Sequence, residues 1–180
     1  MLSINVVLEE LFDEQTNTFQ PGRSVCLELE HSLVSLSKWE SRFRKPFLST
    51  PDRTREETIG YVEAMLLTPD VPPEVLLKIN QDNVDQIVEY IQNPMTATWV
   101  TENPNSPPSR EIITSELIYY WMISMQIPFE CQYWHLNRLL MLIKVCVHKN
   151  APKKKMSPKD LAARNRSLNA QRLAAMKTTG

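Results

Sequence analysis

Residues 110–149, REIITSELIYYWMISMQIPFECQYWHLNRLLMLIKVCVHK, hold two of the four tryptophans, two of the three cysteines and two of the three histidines, at the highest apolar density in the chain. The core is expected here. Over 109–125, Ile112, Ile113, Leu117, Ile118, Tyr120, Trp121, Met122 and Met125 leave almost no polar face, which predicts a helix surrounded by protein. Pro128 cannot continue a helix interior and drives Ile127 out of the α region, so this helix is read to end near Gln126, with a turn over 127–130. A second helix is predicted over 131–148. Leu136, Leu139, Leu140, Ile143 and Val147 recur at helical spacing there, with Asn137, Met141, Lys144 and His148 roughly opposite. The pair reads as a helical hairpin. Each helix would run about 25 Å at 1.5 Å per residue, without the uniformity or flanks of a membrane span.

Outward from this hairpin the pattern stays helical. Residues 31–44 place Leu33, Leu36 or Ser37, Glu40 and Phe43 on one side of a helix, with Val34 and Trp39 at its margin, and Pro46 stops it. Asp52 or Thr54 is a candidate N-cap before Glu56 and Glu57, opening a helix to about Leu67 that would bury Ile59, Val62, Ala64, Met65 and Leu66. Residues 71–78 read as a short helical turn with Pro72 or Pro73 in its first turn. Residues 82–92 carry a cap and a stripe of Val84, Ile87, Val88 and Ile91. The two β-rich runs lie at the start, 2–8 and 24–29, with Gln20-Pro21-Gly22 as turn chemistry before the second. They predict a β-hairpin with a long connection over 9–22, one face of which needs a helical cover.

Residues 93–109 hold four prolines and no helical period, and so read as an extended loop presenting Met95, Trp99 and Val100. A lone apolar loop residue is expected to pack back on the body, with partner contact as the alternative for Trp99. Past Lys149, NAPKKK breaks the chain. Ser157 as N-cap and Pro158 at the first helical position open a last helix to about Met176, in which Leu161, Asn165, Leu168 and Leu173 sit beside Arg164, Arg166 and Arg172. That helix reads as amphipathic but thinly apolar, and such a helix in isolation gains order against a partner or another copy.

The fold class expected is therefore mainly α: a helical domain over 1–150 with a small N-terminal β-hairpin, and a basic amphipathic C-terminal helix and tail over 151–180. Three glycines against thirteen prolines fit this, because sheets and phosphate loops both consume glycine. The net charge of −1 hides a division. Residues 1–150 hold 12 Lys/Arg and 20 Asp/Glu, a charge of −8, whereas 151–180 hold 8 and 1, a charge of +7. The lack of an eighteen-residue apolar run, and of a basic leader over 1–11, predicts a cytosolic, soluble protein. Cys26, Cys131 and Cys146 are odd in number and scattered, so reduced thiols are expected rather than a disulfide framework.

The chemistry-bearing patterns are sparse. Cys131 and His135 would share a helical face, but Cys146 follows fifteen residues on, about 22 Å along the same helix, and zinc ligands must all lie near 2 Å from the ion. No metal site is expected. The three histidines fall on predicted helix surfaces or margins. There is no glycine-flanked nucleophile, phosphate-cradling loop or spaced carboxylate set, so neither an enzyme nor a cofactor is expected. Helix, proline turn and helix ahead of a basic tail raise the question of a helix-turn-helix. The second helix, however, offers only Gln132, Asn137, Arg138 and Lys144 as polar contacts and is too apolar for a DNA groove. The +7 tail could bind phosphates by counterion release, or be a solvated helix docking on the acidic body or a neighbouring subunit. Nucleic acid and membrane are not expected as partners.

Four long phrases carry a resemblance: LELEHSLVSLSKWESRFRKPFLS (27–49), NPMTATW (93–99), REIITSELIYYWMISMQIPFECQYWHLNRLLMLIKV (110–145) and KKMSPKDLAARNRSLNAQR (154–172). They resemble small proteins of the tail-gene modules of long-tailed, siphovirus-type bacteriophages, identified as tail assembly chaperones, and the resemblance covers nearly the whole chain. The resemblance implies a non-catalytic protein that coats the helical tape measure protein, keeps it soluble until the tail tube polymerises, and is then shed as tube subunits replace it. It implies self-association, a host-cytoplasmic location during assembly and absence from the mature virion. Trp99, Leu161, Arg164, Leu168, Arg172 and Leu173 are the expected partner contacts. The alternatives are a structural tail component retained in the virion and a nucleic-acid-binding regulator that uses the basic tail.

Overall fold

Alternation sets the first element. Ile4 and Val6 on one strand, and Leu27 and Leu29 on the other, point to the same side, and all four are buried. In the computed structural model, which describes residues 1–13, 17–99, 111–150 and 158–176, they belong to β1 (Leu2–Asp13) and β2 (Thr18–Leu29). The strands pair antiparallel with Leu2 opposite Leu29 and Ile4 opposite Leu27. Both outrun the predicted segments, so most of the supposed connection over 9–22 is strand. Register shifts around Leu8 and Glu9 let the ladder continue past Pro21, which stands opposite Glu10. Both outer edges carry contacts in the half of the ribbon nearest Leu2 and Leu29. Leu67 N donates to Glu28 O at 2.8 Å and Glu28 N donates to Thr68 Oγ1 at 2.8 Å beside β2, while Asn83 Nδ2 reaches Asn5 O and Lys78 Nζ reaches Leu8 O beside β1.

The expected mainly helical fold with an N-terminal hairpin is what forms. Seven α-helices occur among the described residues. α1 (Leu33–Phe43) starts where Ser32 Oγ accepts from Ser35 N, and ends at Arg44 with φ 53° in the left-handed region. Trp39, read at the helix margin, is instead its centre: it is 1 % exposed, packs on Phe43 and Phe47, and donates from Nε1 to Glu57 O at 2.7 Å. Of the two candidate caps, Asp52 and Thr54, it is Thr54 that opens α2 (Arg55–Met65), in a capping box with Glu57. It buries Tyr61, Val62 and Met65, and it needs glycine at Gly60, where a Cβ would lie 2.7 Å from the Phe43 ring. α3 (Pro73–Leu77) is the short turn after Pro72. α4 (Gln81–Gln92) is capped by Asn80 and turns Ile87 and Tyr90 inward, whereas Val88, read on the buried stripe, is 44 % exposed.

The 110–149 stretch does form two helices, shorter and less enclosed than expected. α5 (Ser115–Ser124) begins well after residue 109, because Thr114 Oγ1 accepts from Leu117 N and makes Thr114 the cap. Residues 100–110, Val100 and Ser109 among them, lie outside the described residues. α5 buries Ser115, Ile118 and Met122 but leaves Tyr120 63 % and Ile123 61 % exposed, so it is covered on one side only. An all-apolar helix has no polar face to mark its solvent side, which is why its pattern misread as full burial. Gln126, with φ 55°, turns the chain, and Ile127 N donates to Met122 O at 2.8 Å. A 3-10 turn over Phe129–Tyr133 follows, and α6 (Leu136–Asn150) starts five residues later than predicted. The delay has a tertiary cause: His135 bridges Ser32 and Leu136 N donates to His31 O at 2.7 Å, holding 134–135 extended. Leu136, Leu139 and Ile143 point inward, while Val147, placed on that stripe by its spacing, is exposed.

The chain divides into two units, 1–147 and 148–180. The second contains α7 (Pro158–Met176), which begins at Pro158 as predicted; its expected cap Ser157 lies outside the described residues. No described side chain of α7 is buried. Among the described residues no helix is long and apolar enough to cross a membrane.

Candidate functional site

The residues expected to meet a partner are all solvent-facing. Trp99 is 88 % exposed, so the expectation that it folds back on the body fails, and Met95 beside it is exposed as well. Leu161, Leu168 and Leu173 on α7 are exposed, as are Arg164 and Arg172. They do not make the single stripe expected of them. At about 100° per residue, Leu161 and Leu168 lie about 20° apart around the helix, and Leu173 falls about 120° from Leu161. Arg164 and Arg172 flank the Leu161–Leu168 line, and Arg166 accompanies Leu173. α7 is thus a basic helix with apolar residues on two sides rather than an amphipathic one. A further apolar surface escaped the sequence reading: Ile112, Tyr120, Ile123, Phe129 and Tyr133 are all exposed large side chains on α5 and the segments either side of it.

The interior of 1–147 holds a polar cluster that the sequence did not disclose. His31 and His135, both read as surface or margin residues, are buried with ring centroids 5.0 Å apart. The backbone pairing of Ser32 with His135 brings them together. His135 Nε2 faces Tyr90 O at 3.0 Å and its Nδ1 accepts from Asn137 N at 3.3 Å. A carbonyl only accepts and an amide only donates, so the ring is the neutral tautomer protonated on Nε2. His31 Nδ1 lies 2.6 Å from Tyr61 Oη. Tyr90 Oη donates to Glu30 Oε1 at 2.6 Å, and the other Glu30 oxygen meets the Met1 amino group at 2.7 Å. Burial, and then the neighbouring His135, push His31 down to about 3, and burial also lowers His135. Burial likewise raises Tyr61 and Tyr90 above the usual phenol range. The two histidines and two tyrosines are thus held neutral, with the Glu30–Met1 ion pair beside them.

Beside it, α2 and α4 enclose a cleft of about 350 Å³, walled by Val62, Val84, Ile87, Val88 and Ile91 and reaching His31, Tyr61 and Arg53. Arg53 stacks its guanidinium 3.8 Å over the Phe47 ring and donates from Nη2 to Phe47 O at 2.6 Å. Its Nε is buried without an acceptor, and burial lowers its affinity for the proton. Among the described residues, no three His, Cys, Asp or Glu side chains are placed to hold a metal ion. Cys131 lies in the 3-10 turn and His135 beyond it, so the helical face predicted for that pair does not exist. Neither a known protein family, nor a curated protein, nor a solved structure matches the chain.

Proposed function

We propose that this protein is a bacteriophage tail assembly chaperone that binds the tape measure protein and keeps it soluble until the tail tube polymerises. The observation that carries the reading is large apolar side chains held in solvent on both units of a chain whose core is otherwise well filled: Trp99 and the Tyr120–Ile123 face on one, Leu161, Leu168 and Leu173 on the other. A protein that coats a long helix and is later shed needs such contact surface without a deep, permanent interface. The resemblance of the four quoted phrases to phage tail assembly chaperones supports the same reading. In it, the −8 of residues 1–150 in one copy attracts the +7 of residues 151–180 in the next, a head-to-tail contact that builds open filaments along the cargo. Tube subunits then displace the coat, in the host cytoplasm, and no catalytic step is involved.

Co-expression with the phage tape measure protein, followed by pull-down and sizing, tests this. A soluble stoichiometric complex is the expected result. Failure to capture, together with stoichiometric presence in purified virions by mass spectrometry, turns the assignment to a structural tail component. Oligomer size that does not change when salt is raised to about 0.5 M removes the electrostatic part, since screening weakens exposed pairs.

A further inference from the structure

We propose that the cleft between α2 and α4 is a binding site for a small aliphatic monocarboxylate, with Arg53 receiving the carboxylate and the valine and isoleucine side chains of α2 and α4 receiving the chain. The proposal is independent of the chaperone reading.

Size selects the class of ligand first. At about 350 Å³ the cleft sits at the low end of ligand pockets, which run from about 300 to 1,000 Å³. A helix with side chains is about 10–12 Å across, too wide to enter such a space. The walls choose next: Val62, Val84, Ile87, Val88 and Ile91 present branched aliphatic carbon, and the partly exposed Leu48 and Val88 continue it to the surface. A dicarboxylate or a phosphate would leave charge against these walls without a donor.

The polar lining then sets one anionic end. Thr58 Oγ1 already donates to Thr54 O, Tyr61 Oη is engaged with His31, and Asn137 Nδ2 donates to Ile91 O and Asn93 O. Arg53 is different. It makes no ion pair among the described residues, and its Nε–H has no acceptor. Glu57, the carboxylate whose charge acts on Arg53, is taken at one oxygen by Lys45 and at the other by Thr54 N. A guanidinium partly buried over an aromatic ring, with no ion pair among the described residues, lacks an anionic partner. An apolar chain ending in a carboxylate fills the walls and supplies that acceptor together.

Decanoate, kept below its micellar concentration and titrated into the full chain, provides the test, with decanol as the neutral control and valine and isoleucine methyl NMR as the readout. Saturable shifts at Val84, Ile87, Val88 and Ile91 are expected, with decanol roughly tenfold to a hundredfold weaker, the worth of a charge-assisted hydrogen bond. Arg53→Met is expected to equalise the two ligands. Should that variant not fold, Val88→Asp at the exposed mouth is expected to lower decanoate affinity more than decanol affinity. Absence of saturation, equal affinity for decanol in the unmodified chain, or shifts centred instead on Ile112 and Ile123 would each overturn the assignment.

Discussion

α6 and α7 run 15 and 19 residues, and both carry leucines among basic side chains, yet different physics makes them helical. α6 turns Leu136, Leu139 and Ile143 into the core, each worth about 1.5–3 kcal/mol when fully buried. α7 buries no described side chain and relies on local preference: Pro158 at its start, then alanine, leucine and arginine, among the best helix formers. Isolated helices of such length are marginal in water, so the first is held by the fold and the second by its own composition. A helical sequence therefore says little about whether its side chains have anywhere to go.

Three measurements can break or sharpen this contrast. The largest effect is expected at the centre of the body. Trp39→Ala removes a 1 %-exposed indole and its bond to Glu57 O, and should cost about 3–5 kcal/mol in urea unfolding followed by near-UV CD. A loss below about 1 kcal/mol would mean that the core is far looser than its burial indicates.

Acid gives the next effect. His31 has its folded-state value near 3, well below the roughly 6.5 of an unfolded histidine, so the unfolded chain binds a proton that the folded chain refuses. Its contribution is fully present above about pH 6.5 and is lost as pH falls below that, amounting to about 2 kcal/mol between pH 6.5 and 5. The groups facing the pair are His135, Tyr61, Tyr90, Glu30 and the Met1 amino group, with Arg53 close to Tyr61. Of these, His135 is lowered by burial and so acts in the same direction. His31→Gln should flatten the pH dependence of the unfolding midpoint; an unchanged slope would place its source elsewhere.

The smallest effect belongs to the tail. Leu168→Ala should leave stability within about 0.5 kcal/mol, as surface changes do, while weakening capture of the tape measure protein. A stability loss approaching that of Trp39→Ala would show instead that α7 is packed against something in solution.

These contrasts mark where the sequence was informative. Local chemistry was legible: a cap at Asp52 or Thr54 ahead of two glutamates announced α2, Pro158 announced α7, and Gln126 to Pro128 marked the turn after α5. Features decided by distant partners were not. Spacing alone assigned Trp39 to a margin and Val147 to a buried stripe, because a stripe does not say which helix covers it. His31 and His135 stand far apart in sequence and meet only through the Ser32–His135 bridge, so nothing local could reveal the buried pair. Arg53 was not singled out at all, because nothing local shows that the Phe47 ring lies beneath it. At the expected contacts, Trp99 and the α7 leucines are exposed, but Trp99 was expected to pack back on the body, and the single stripe fails because Leu173 is out of phase with Leu161.

The buried Glu40 carboxylate has a consequence for how the body moves. One of its oxygens accepts from Phe47 N at 2.9 Å and the other from Ser115 N at 2.7 Å. Two backbone amides on segments remote in sequence thus share one side chain of α1. Opening either segment alone would strand half of a buried carboxylate, so the two amides are expected to exchange their hydrogens together, with α1 as the clasp between Phe47 and the start of α5.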